Sequence, residues 1–128
     1  MLDFDKIKNA VISALNGVEY SAVYLFGSYA NGDFDEFSDV DIGLLTRYDV
    51  DRLKIIDLSE TLEKDLGKDV DVVNINIDKE ANYLLLGDII DGCLINENED
   101  VLGYIYDTGK DFEIDFCRFL LFGDDMYE

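Results

Sequence analysis

Residues Tyr24 to Leu45 read YLFGSYANGDFDEFSDVDIGLL, two strand-like runs joined by a polar turn. The first apolar, β-prone run, Val23 to Phe26, stops at Gly27-Ser28. A connection carrying Asn31-Gly32 follows, and Asp39-Val40-Asp41 then heads a second apolar run, Ile42 to Leu45. Strand side chains two apart share a face and stand about 7 Å apart along the chain. Asp39 and Asp41 therefore share one face, with Val40 and Ile42 on the other. Two carboxylates so placed suit a divalent cation such as Mg²⁺, which takes oxygen ligands. A calcium loop fits less well: Gly43 comes one position too early for an EF-hand, and Val40 and Ile42 are strand formers.

Outward from this stretch, helical and strand periods alternate. Phe4, Ile7, Val11 and Leu15 predict a helix over 3–16, with Asp3 as its cap and Gly17 as its stop. Residues 19–26 and 39–45 read as strands, with a short helix or loop from Gly27 closing near Gly32. A helix over about 50–66 is capped by Asp49 or Asp51 and ended by Gly67. DVDVVNINI, residues 69–77, is a β-branched third strand. A further helix starts at Asp78, buries Ala81, Leu84, Leu85 and Ile89, and closes at Asp91-Gly92. Cys93 to Asn96 reads as a short edge strand, and 100–122 as one longer helix that Gly103 and Gly109 weaken. The last six residues, GDDMYE, read as a frayed tail. The expected fold is α/β, a small mixed β-sheet flanked by helices, with residues 1–128 forming a single domain.

Composition narrows the chemistry. A chain of 128 residues can bury one core. No apolar run approaches a membrane span, and acids near the N-terminus do not suit a signal peptide, so the expected location is cytoplasmic. Cys93 and Cys117 lie in apolar surroundings and read as free thiols. The chain has no histidine, which excludes Ser-His-Asp triads, Cys-His pairs and His-ligated zinc. Its formal charge of −20 argues against direct nucleic-acid binding. Such a surface suits a basic partner, or it solvates the protein in a salty cytoplasm.

Three further residues bear on the site. Gly27 lets backbone approach a phosphate, and N–H groups after it would point at anionic oxygens, with the Ser28 hydroxyl beside them. A tight strand-to-helix turn capped by Ser28 is the plainer reading of the same pair. Asp71 stands inside the apolar run Val70-Asp71-Val72-Val73, where a buried carboxylate needs a partner. A metal shared with Asp39 and Asp41 would supply one. Asp69 shares its face and is the rival, but it follows Lys68 at the strand edge, where water can solvate it.

Gly27-Ser28, ten intervening residues, then Asp39-x-Asp41 resembles the signature of nucleotidyltransferases of the DNA polymerase β type. The compact chain is similar to their minimal nucleotidyltransferase group, which includes MntA-type antitoxins encoded beside HEPN ribonuclease toxins. The resemblance implies Asp39, Asp41 and Asp71 as catalytic and metal-binding residues, and Gly27 and Ser28 as nucleotide-binding ones. It implies two Mg²⁺ ions, ATP as substrate, and transfer of AMP to a hydroxyl, a tyrosine, on a partner HEPN toxin. That partnership makes a hetero-oligomer. Without histidine, this chain cannot carry the ribonuclease's own Arg–His site. One departure stands out: many members read Gly-Ser-x-Ala-Arg-Gly, whereas Asn31 stands here where the arginine would grip phosphate. The acidic connection Asp33, Asp35, Glu36 is also unusual beside a polyanion. The alternatives are an antitoxin that masks its toxin without catalysis, and an aminoglycoside-type small-molecule nucleotidyltransferase.

Overall fold

A computed structural model describes residues 2–79 and 82–123. In chain order the elements are α1 (Phe4–Ala14), β1 (Ala22–Phe26), α2 (Ser28–Asn31), β2 (Val40–Thr46), α3 (Arg52–Leu66) and β3 (Val70–Asn76). They continue with α4 (Tyr83–Ile90), β4 (Cys93–Glu97), α5 (Val101–Asp107) and α6 (Lys110–Phe122). The sheet order is β3-β2-β1-β4. β1 runs antiparallel to both β2 and β4, and β2 runs parallel to β3. The parallel pair needs a crossover, and α3 supplies it. The sheet is thus mixed and flanked by helices, as expected from the alternating periods.

Strand alternation sends side chains to two cores. Val23, Leu25, Val40, Ile42, Leu44, Val70 and Val72 face α1 and α3, meeting Ile7, Val11, Leu58 and Leu62. Ala22, Tyr24, Phe26, Leu45 and Ile75 face the other way, against Leu86, Ile89, Val101, Ile105 and Ile114. Gly43 lies on this second face, where an added Cβ would strike the Ile89 side chain. Its lack of a side chain lets α4 close on the sheet.

The caps expected at Asp3 and Asp51 form: each side chain accepts a backbone N–H of the first turn, from Lys6 and Leu53. Two expectations fail locally. The fourth helix begins at Tyr83 rather than Asp78, with Asn82 as its cap. Asp78 is drawn off instead, accepting from Arg47 at 2.8 Å and from the Tyr104 hydroxyl at 2.7 Å. Leu86 and Ile89 are that helix's fully buried side chains, Leu84 and Leu85 are half-buried, and Ala81 lies outside the described residues. The single helix expected over 100–122 is two, because Gly109 adopts φ +75°, a left-handed conformation that stops α5 and starts α6. Of the tail, residues 124–128 lie outside the described residues. Cys93 and Cys117 are free and half-buried. No described helix is long and apolar enough to cross a membrane.

Candidate active site

One end of the sheet gathers the site residues. β1 ends there at Phe26, and β2 and β3 begin there. Phe26 pairs with Asp41 across the antiparallel ladder, and Asp41 pairs with Asp71 across the parallel one. Asp39 lies two residues before Asp41, just ahead of β2, and the intervening Val40 N–H donates to the Asp69 carbonyl at 3.0 Å. Val40 and Val70 turn into the α1–α3 core. The carboxylates at 41 and 71 therefore face the α4 side, at the end where helix cover has run out.

Gly27 makes this end accessible to close approach. It leaves β1 at φ +73° and ψ −152°, a conformation open to glycine alone at no cost. A Cβ there would overlap the Asp41 carboxylate itself. The turn backbone and Asp41 thus share a space no other residue permits. Gly27, and not Ser28, is the N-cap of α2; Ser28 is its first helical residue, so the capping role expected for Ser28 is not what the turn uses. The Ala30 and Asn31 N–H groups close back on the Gly27 carbonyl at 3.1 Å each. Gly32 ends the turn.

Electrostatics single out Asp41. Burial pushes its carboxyl above the ordinary aspartate value, and the neighbouring charges of Asp71 and then Asp39 push it the same way. Asp69 does not figure among those neighbours, in keeping with the preference for Asp71. The expectation of a buried Asp71 is corrected, however: it is exposed, because β3 is an edge strand and no described helix covers it at this end. Its place in the site rests on register with Asp41, not on the cost of burial.

Among the described residues, no three acidic or cysteine side chains converge as a finished ion cage. Asp39, Asp41 and Asp71 frame an open end instead. The donor set nevertheless fits a hard divalent cation: it offers carboxylate oxygens only, and a cation would relieve the charge that burdens Asp41.

The acidic connection between α2 and β2 is built, not loose. Asp35 accepts the Phe37 N–H at 2.8 Å, and its own N–H donates to the Ser38 hydroxyl at 2.9 Å. Phe34 stacks on Tyr29 with ring centroids 4.4 Å apart. Lys68 donates to the Glu36 carbonyl at 2.8 Å, and its ammonium lies 5.7 Å from the Tyr29 ring centre. In the sequence Lys68 marks only the strand edge beside Asp69; its hold on this connection is a tertiary contact with no local signal. Asn31 is exposed.

The family model described as "Polymerase beta, Nucleotidyltransferase" matches residues 6–100. A protein of Methanocaldococcus jannaschii, provisionally named a protein adenylyltransferase, is 35% identical over 103 residues, 79% of this chain and all of its own length. A chain of a toxin–antitoxin crystal structure containing AMP-PNP superposes with a TM-score of 0.71 at 24% identity, covering 93% of this chain and 98% of that one. A chain from the complex of a tri-AMPylated Shewanella oneidensis HEPN toxin with an MNT antitoxin gives 0.67 at 22%, covering 95% and 98%. At such identities the two structures establish the shared fold. With 95 of its residues under the family model, and the glycine turn and paired carboxylates in register, the chain belongs to the polymerase β nucleotidyltransferase family.

Proposed function

We propose that the chain transfers AMP from ATP to a tyrosine hydroxyl of a partner HEPN ribonuclease toxin, and so acts as an antitoxin. The observation that carries this reading is the pairing of Asp41 with Asp71 across β2 and β3, beside the Gly27 turn. The M. jannaschii relative's name and the toxin–antitoxin complexes that share the fold support it. A toxin is a fitting acceptor for an open, strongly acidic protein.

Asp39, Asp41 and Asp71 would hold divalent cations, two Mg²⁺ ions in this reading. Bound there, they would supply Lewis-acid stabilisation of charge on phosphate oxygens. The chain's own groups do the rest. Gly27 lets the triphosphate approach the turn, and the Ser28 hydroxyl would donate to it. Asp71, exposed beside Asp41, accepts the proton of the attacking tyrosine hydroxyl. That oxygen forms a bond to the α-phosphorus, the α–β anhydride bond breaks, and pyrophosphate leaves. The acceptor must enter at the open end of the sheet, because helices cover its two faces.

Labelled ATP tests the reaction. Label at the α-phosphate should stay on the toxin, and label at the γ-phosphate should leave with pyrophosphate. Retention of the γ label, or of neither, contradicts the reading. A second reading is neutralisation by binding alone. Asn31 in place of arginine and the acidic connection favour it, and it predicts silencing of the toxin with no label transferred.

A further inference from the structure

We infer that the outward face of α6 is the docking surface for the protein acceptor, and that it takes a basic partner presenting an apolar face. This rests on the reading above that the acceptor is a separate protein. Phe112, Phe116, Phe119 and Leu120 fall at helical spacing on the side of α6 opposite Ile114, which is buried. They are 73%, 56%, 45% and 65% exposed. Ile114 packs in the core with Leu86 and Ile89, and Arg118 reaches Asp91 at 2.7 Å, so the inner face of α6 is satisfied as far as Arg118, while Leu121 and Phe122 beyond it are exposed as well. A helix apolar on both sides is one that something covers, and a contiguous aromatic stripe is the composition of a binding hot spot.

Charge identifies the cover. Glu113 and Asp115 flank the stripe on its two sides, and both are exposed. The cations of this helix are engaged: Lys110 lies over the Tyr83 ring and Arg118 is held by Asp91. A second copy of this chain would bring another −20 and set these flanking acids against their own kind. A partner whose apolar face is rimmed by lysine or arginine meets the stripe with complementary charge.

Position connects the stripe to the chemistry. The family match ends at residue 100, and α5 begins at Val101, so the stripe belongs to a segment appended to the matched core. Arg118 fastens α6 to Asp91, and the next residue, Gly92, packs against the backbone of Leu25 and Phe26. Phe26 immediately precedes Gly27. A partner seated on α6 is therefore held beside the carboxylate end without occupying it.

The test uses the full chain and the purified HEPN toxin as probe. A Phe112→Ser/Phe116→Ser variant should weaken toxin binding, read by calorimetry without nucleotide, by roughly tenfold or more, the scale on which buried aromatic anchors act. Its KM for toxin should rise while kcat at saturating toxin holds. Unchanged affinity overturns the proposal, and so does a change only in self-association, which would assign the stripe to a second copy. Glu113→Lys/Asp115→Lys touches solvated flanks only and carries the same test should the serine pair disturb the helix: it should weaken binding and flatten its salt dependence, and unchanged affinity overturns the proposal. Failure of the enzymatic reading looks different: the wild-type chain would bind through the stripe and transfer no AMP.

Discussion

Asp41 and Asp71 are Cα partners across the parallel strands β2 and β3, so two carboxylates stand side by side at one end of the sheet. The nearer to the core, Asp41, is held above the ordinary aspartate pKa by burial, then by Asp71, then by Asp39. A folded state that binds the proton more tightly than the unfolded chain loses stability as pH rises through that interval. The penalty is complete above the raised value and absent below the ordinary one. Asp41→Asn should therefore raise the melting temperature at neutral pH, and the advantage should vanish in acid. Thermal unfolding of both proteins across pH measures the difference; a neutral-pH loss of stability would contradict the electrostatic account.

Asp71 and Asp69 separate cleanly. Asp71→Ala should cost several orders of magnitude in transfer, since metal-assisted activation is worth several kcal/mol and each ~1.4 kcal/mol is tenfold. Because Asp71 is exposed, stability should change by no more than about 0.5 kcal/mol. Asp69→Ala should be nearly silent in both assays. The reverse ranking would place the catalytic carboxylate one strand repeat earlier.

Gly27 can be tested against a matched control. Gly27→Ala forces a side chain into a left-handed conformation and into the Asp41 carboxylate. It should cost about 1–3 kcal/mol of stability from the backbone alone, with the Asp41 overlap adding to that, and abolish transfer. Gly67 has φ +68° with no atom within 4 Å of an added Cβ. Gly67→Ala should cost roughly 1–2 kcal/mol, less than Gly27→Ala because nothing crowds its Cβ, and keep full activity. Equal activity in the two variants would remove Gly27 from the site.

At the other end of the sheet, Arg47 bonds Glu99 and Asp78 at 2.8 Å each and stacks over Tyr104 at 4.0 Å. The hydrogen bond from Arg47 holds the Glu99 carboxyl below its ordinary value, and the Tyr104 hydroxyl, then Arg47, do the same for Asp78. Groups with lowered pKa stabilise the fold above their unfolded values and lose that contribution as pH falls through the folded ones. Arg47→Ala should therefore be less stable than wild type near neutrality, with the gap closing in acid. AMP transfer should be unchanged, because Arg47 follows β2's far end.

Much of the fold was legible because it rests on short-range pattern. The candidate site was legible through the resemblance carried by Gly27-Ser28 and Asp39-x-Asp41, with strand alternation setting the carboxylate face and the β-branched run at Val70 holding Asp71. What escaped depends on distant partners. Asp78 reads as a helix start until Arg47 and Tyr104 claim it. Gly109 could sit in a continuous helix, and only its left-handed conformation divides α5 from α6. The exposure of Asp71 follows from β3 lying at the sheet edge, which strand periodicity does not specify. The hold of Lys68 on the Glu36 carbonyl spans 32 residues and carries no local signature.

If one carboxylate site both modifies and silences a partner toxin, mass gain and loss of activity must come together. Intact-mass spectrometry of the HEPN toxin, run beside an RNA-cleavage assay, measures both. With the wild-type chain, ATP and Mg²⁺, the toxin should gain mass in steps of one AMP and lose ribonuclease activity. With the Asp41→Asn chain it should gain no mass and stay active. Silencing at equal stoichiometry by the Asp41→Asn chain, without any mass gain, would contradict the account and leave neutralisation by binding in its place.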